Sequence, residues 1–126
     1  MGKHILLVED NSDHHFILKA HLEAEDYQVF SADNGLKALK ILAKEKIDLM
    51  ILDLWLPKLD GFAFLQSLRA HPEWSAIPVI ITTGVERPKD ILDLAGLEVG
   101  NCFTKPYEPV DVVAAVGSLL LSTAGA

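Results

Sequence analysis

His4-Ile5-Leu6-Leu7-Val8-Glu9-Asp10-Asn11-Ser12-Asp13 opens with a run of strand length and stops abruptly on a polar segment. Asn11 or Ser12 then caps a helix that carries Phe16, Ile17, Leu18 and Leu22 at roughly helical spacing. This strand–turn–helix unit recurs along the chain. Residues 27–30 read as a second strand, and Asn34 precedes a helix expected to turn Leu36, Leu39, Ile41 and Leu42 inward and Lys37, Lys40 and Lys44 outward. Residues 47–52 form a third apolar run, ending at Asp53. Pro57 and Asp60-Gly61 punctuate a loop, followed by a helix with Phe62, Phe64, Leu65 and Leu68. Residues 78–82 and 102–104 read as the last two strands, and residues 110–121 as a closing helix packed through Val112, Val113, Val116, Leu119 and Leu120. The fourth helix is the weakest element: Pro88 opens it, residues 90–94 are short, and Gly96 lies inside it.

Short apolar strands separated by helices imply βαβ units, hence a parallel sheet covered on both faces. The expected fold is therefore α/β: a doubly wound, five-stranded parallel sheet with five helices and right-handed crossovers. The 126 residues suit one domain, with residues 1–121 as its ordered core and 122–126 as a fraying tail.

Eighteen acidic residues against eleven basic ones leave a formal charge of −7. Such an excess repels nucleic acid and anionic membrane, and no basic patch or arm offsets it. The single cysteine, Cys102, has no intramolecular disulfide partner, which suits a reducing compartment. Lys3, His4, Glu9 and Asp10 bracket an apolar run too short for a signal peptide, and no stretch is long enough to span a bilayer. The expected location is cytoplasmic.

Ligands of open parallel sheets bind beyond the carboxyl ends of the strands. Those ends carry Glu9-Asp10, Asp53, Thr82-Thr83 and Lys105. Three converging carboxylates repel unless a hard divalent cation joins them. Mg²⁺ accepts oxygen ligands and few direct carboxylates; Asp10 and Asp53 are the natural direct ones, with Glu9 acting through water. Mn²⁺ suits the same donors. An aspartate carboxylate is a nucleophile for phosphoryl transfer, a lysine pairs with phosphoryl oxygen, and the Thr83 hydroxyl suits a further phosphoryl oxygen. The spacing from Pro78 favours Thr83 over Thr82. His14 and His15 are adjacent and point in different directions on a helix; with His21 and no thiolate, they make a poor zinc site.

Residues 5–11, the Asp53-Leu54-Trp55-Leu56-Pro57 segment with Asp60-Gly61, residues 78–84 and Lys105-Pro106 follow one another in an order and spacing that resembles the receiver domain of a two-component response regulator. The resemblance spans nearly the whole chain and implies a flavodoxin-like receiver fold. It implies that Asp53 accepts a phosphoryl group from a histidine kinase or histidine phosphotransfer protein, and that the chain then alters its contacts with an effector protein. It further implies that Glu9, Asp10, Asp53 and the backbone carbonyl of Trp55 hold Mg²⁺, that Thr83 is the switch hydroxyl, that Lys105 binds the phosphoryl group and that the Lys105–Pro106 bond is cis. Such a domain is a phosphoacceptor rather than an enzyme; it reads out through protein contacts, without direct nucleic-acid or membrane binding, and a homodimer remains open.

The chain departs from the family pattern in three places. Cys102 stands where the switch aromatic is usual, which raises the alternative of a receiver-like binding module that does not switch. Glu98-Val99 replaces the usual Gly-Ala near Gly96 and Gly100. Trp55 and Val85, which flank the acceptor, are apolar and orient no water, so slow loss of the phosphoryl group is expected. A phosphatase with an aspartyl nucleophile needs a second acid–base aspartate near Asp53, yet Trp55 stands two residues on and no lid follows.

Overall fold

A computed structural model describes residues 2–56, 59–84 and 101–124. The elements are β1 (His4–Val8), α1 (Ser12–Ala24), β2 (Gln28–Ala32), α2 (Gly35–Lys44), β3 (Leu49–Asp53), β4 (Trp55–Leu56), β5 (Leu59–Asp60), α3 (Gly61–Ala70), β6 (Val79–Thr83), β7 (Asn101–Thr104) and α4 (Pro109–Ala124). Five strands form one sheet in the order β2-β1-β3-β6-β7, every pairing parallel. Strands β4 and β5 form a two-residue antiparallel ladder, Trp55 opposite Asp60, inside the segment expected to be loop.

The pleat sorts each strand's apolar run between two cores. Leu6, Val8, Met50, Leu52, Val79 and Ile81 pack on one side with Ala38 and Leu42 of α2 and Phe64, Leu65 and Leu68 of α3. Ile5, Leu7, Leu49, Ile51 and Ile80 pack on the other with Leu18 and Leu22 of α1 and Val112, Val116 and Leu120 of α4. Burial on both faces is why these strands read as unbroken apolar runs rather than as alternating ones. Each fully buried Leu or Ile contributes roughly 1.5–3 kcal/mol.

The helix starts follow from their caps. The side chains of Asn11, Asn34 and Asp60 accept from the backbone N–H groups of His14, Lys37 and Phe62, respectively. Of the two candidates, Asn11 is therefore the cap of α1. One expectation about a helix face needs correction. Leu42 is buried as expected, but Leu36 is 65% exposed and Leu39 is also exposed; Gly35 and Ala38 are buried in their place, so the small residues of α2 face the sheet. In α1, Phe16 is 74% exposed and Ile17 is exposed, while Leu18 and Leu22 are buried. The closing helix runs through Ala124, beyond the expected end at 121. Four helices lie among the described residues; the expected fourth helix, opened by Pro88 and with Gly96 inside it, lies outside them, as do Val85 and Glu98-Val99.

Candidate functional site

Because the strands are parallel, their carboxyl ends converge on one edge. Glu9 follows β1 directly, and its N–H donates to the Ala32 carbonyl at 3.0 Å, which continues the ladder by one residue. Glu9 is 3% exposed, and its carboxylate accepts from the Asn11 N–H at 3.1 Å. Asp53 ends β3 and is 4% exposed. Lys105 follows β7; its N–H donates to the Thr83 carbonyl at 2.7 Å, and its bond to Pro106 is cis, as the resemblance implied. The Lys105 Nζ donates to Glu9 Oε1 at 2.6 Å and to Asp53 Oδ2 at 2.9 Å. Exposed Asp10 completes the cluster: one carboxylate oxygen from each of Glu9, Asp10 and Asp53 lies within 4.8 Å of the others.

Three carboxylates against one ammonium leave two negative charges at this edge. Burial alone would lower the Lys105 pKa, but hydrogen bonds and charge from Glu9 and Asp53 outweigh it and raise it. Burial pushes the Tyr107 phenol up as well; Glu9 and Asp53 push it further, and Lys105 opposes them. Tyr107 therefore senses the charge of the site. Sequence reasoning passed over it, the only signal being its place two residues after Lys105.

The donor set fits a hard divalent cation. All three groups offer oxygen, one ammonium leaves them under-neutralised, and Asp10 makes no hydrogen bond or ion pair with the protein among the described residues, so its oxygens are available. The other residues singled out from the sequence are placed as follows. Thr82 and Thr83 are both buried at the end of β6; Thr82 is in register with Asp53, and Thr83 with Thr104. Trp55 opens β4, two residues past Asp53. Cys102 lies in β7, half-buried against the core shared with α2 and α3. The three histidines go separate ways: His14 Nδ1 lies 3.8 Å from Glu9 Oε1, His15 reaches the Glu9 carbonyl and Ser31, and His21 bonds the Ile17 carbonyl of its own helix. Trp74 is partly buried and stacks on His71, with ring centroids 3.8 Å apart.

Comparison with known proteins agrees with this geometry. The response regulator receiver domain model matches residues 5–117. A protein described as "Probable transcriptional regulator ycf27" of Cyanidium caldarium is 40% identical over 120 residues, which cover 93% of this chain and 46% of that protein. The alkaline phosphatase synthesis transcriptional regulatory protein PhoP of Bacillus subtilis is 37% identical over 122 residues, 95% of this chain and 49% of that protein. The chain thus spans about half the length of these curated relatives. Among solved structures, the receiver domain of a signal transduction histidine kinase from Syntrophus aciditrophicus superposes with a TM-score of 0.85 at 32% identity, covering 96% of this chain and 92% of that one. The receiver domain of sensor histidine kinase PA1611 from Pseudomonas aeruginosa, described with a magnesium ion coordinated in its active-site cleft, has a TM-score of 0.80 at 25% identity, both chains fully covered. No helix among the described residues is long and apolar enough to cross a membrane. With its parallel sheet, its acidic edge and a family match over most of its length, the chain belongs to the response regulator receiver domains of two-component systems.

Proposed function

We propose that Asp53 is the phosphoacceptor, and that Glu9, Asp10, Asp53 and the Trp55 carbonyl hold Mg²⁺ beside it. The observation that carries this reading is the Lys105 ammonium shared between Glu9 and Asp53 at 2.6 and 2.9 Å, in a cluster whose third carboxylate has no partner among the described residues. A bound divalent ion supplies charge neutralisation between the carboxylates and an incoming phosphoryl oxygen. An Asp53 carboxylate oxygen attacks phosphorus on a partner's phosphohistidine; the O–P bond forms, the N–P bond breaks, and the electron pair returns to the imidazole nitrogen. Lys105 then exchanges a carboxylate for a phosphoryl oxygen, and the Thr83 hydroxyl takes another. The added charge biases the loops after β3, β6 and β7, and an effector protein reads the favoured conformer. The donor is a histidine kinase or phosphotransfer protein, and the setting is the cytoplasm.

The test is the intact-protein mass after incubation with acetyl phosphate and Mg²⁺, beside Asp53→Ala and chelated samples. One phosphoryl adduct, absent from both controls, is expected. It should persist after the acetyl phosphate is removed, because apolar Trp55 and Val85 orient no attacking water. An adduct that survives Asp53→Ala overturns the acceptor assignment. A folded, Mg²⁺-binding protein without an adduct favours the non-switching binding module, for which Cys102 at the usual aromatic position is the motivating feature.

A further inference from the structure

Of the three carboxylates, Asp10 alone makes no hydrogen bond or ion pair among the described residues, so its position depends on the backbone that carries it. That backbone is a peptide group whose oxygen is the Glu9 carbonyl. His15 stands in the first turn of α1, where side chains lean back toward the helix N-terminus, and its Nδ1 reaches this oxygen at 3.3 Å. The other ring nitrogen, Nε2, lies 2.7 Å from Ser31 Oγ on β2. A carbonyl only accepts, so Nδ1 carries the proton, and in the neutral ring Nε2 accepts from the Ser31 hydroxyl. One half-buried imidazole thus joins the acidic loop, the start of α1 and the edge strand of the sheet.

We infer that His15, braced by Ser31, is a positioning residue for the cation site: it holds the Glu9–Asp10 peptide so that the Asp10 carboxylate faces Glu9 and Asp53. The inference rests on the reading of that cluster as a divalent-cation site. The physical reason is entropic. An exposed aspartate on an unbraced loop must be ordered when the ion arrives, whereas a peptide group already hydrogen-bonded has little freedom left to lose. His15 touches no ligand oxygen of the cluster, so its effect passes through the backbone alone.

Calorimetric titration with Mg²⁺, well below each variant's thermal midpoint, tests this. His15→Ala should weaken Mg²⁺ binding about tenfold, at the low end of what the loss of an outer-shell partner causes. Ser31→Ala should weaken it less, and the double variant no more than His15→Ala, since the bridge acts as one unit. An asparagine amide nitrogen sits where Nδ1 does, so His15→Asn should recover most of the affinity; the glutamine amide sits at the Nε2 position, so His15→Gln should not. His15→Ala binding Mg²⁺ as tightly as the parent overturns the inference, as does recovery by glutamine but not by asparagine. A parent that binds no Mg²⁺ overturns the cation reading itself. If His15→Ala does not fold, His15→Gln and His15→Asn decide: glutamine weaker than asparagine is expected, and a glutamine variant that binds Mg²⁺ as tightly as the parent overturns the inference.

Discussion

At the scale of single residues, Lys105 does two jobs that oppose each other. Its ammonium pairs with two buried carboxylates, Glu9 and Asp53, and offsets part of their charge. Removing one partner of a buried pair leaves uncompensated charge and destabilises the fold. The same ammonium repels an arriving dication, and unit charges about 4 Å apart interact by several kcal/mol even at an effective dielectric of about 20. Lys105→Ala is therefore expected to lower the thermal midpoint in chelator while binding Mg²⁺ roughly tenfold or more tightly than the parent. Thermal melts with and without Mg²⁺ check this. A variant whose midpoint rises with Mg²⁺ no more than the parent's would separate Lys105 energetically from the cluster. Asp53 and Lys105 stand out in the sequence as polar residues ending apolar runs. Tyr107 does not, because only the folded chain brings its phenol near Glu9 and Asp53.

At the scale of elements, two glycines carry opposite instructions. Gly117 lies inside α4, and a Cβ there would meet the Tyr27 hydroxyl oxygen at 3.7 Å, an ordinary contact. Gly117→Ala should stabilise the protein by about 0.5–1 kcal/mol through helix propensity. Gly61 opens α3 against β3's exit, and a Cβ there would lie 2.5 Å from the Leu54 carbonyl oxygen and 2.7 Å from its Cα, both backbone. Gly61→Ala should destabilise by roughly 1–3 kcal/mol. Urea unfolding of the two variants gives the comparison, and shifts of the same sign would show that close approach to Leu54 does not govern Gly61. The misread face of α2 belongs at this scale too. Leu36 and Leu39 fit a 3.6-residue period with Leu42 as well as Gly35 and Ala38 do, so periodicity leaves open which of them share its inner face. The structure chooses the phase with glycine and alanine inward, Gly35, Ala38 and Leu42 being buried. A close-packed helix–sheet contact favours small residues there.

At the scale of the molecule, the resolved pKa shifts predict how stability varies with pH. Burial, then Glu25, raises Tyr27 above the ordinary phenol value of 10.0; Tyr107 is raised likewise, and Lys105 lies above 10.5. A raised folded-state pKa means that the stabilisation is complete below the unfolded value and is lost as pH rises through the folded one. Stability should therefore fall as pH climbs beyond about 10, with both phenols titrating later than in the unfolded chain. Ultraviolet titration of the parent, Tyr27→Phe and Tyr107→Phe checks this, and a phenol titrating at its ordinary value in the folded protein would refute it for that residue. Asp33, held low chiefly by its hydrogen bond from Lys37, acts in the other direction: its small exposed contribution is present above 3.8 and is lost as pH falls. What the sequence determined by itself is the alternation of strands and helices, the parallel sheet, and the set of acids and the lysine at the strand ends. Those follow from local periodicity and from where each apolar run stops. The tertiary structure alone decided which faces of α1 and α2 turn inward, the β4–β5 ladder, the influence of the site's charges on Tyr107, and the His15–Ser31 brace. Lys105 meets Glu9 from 96 residues away and Asp53 from 52, and contacts at such separations depend on how the elements pack, which no local pattern encodes.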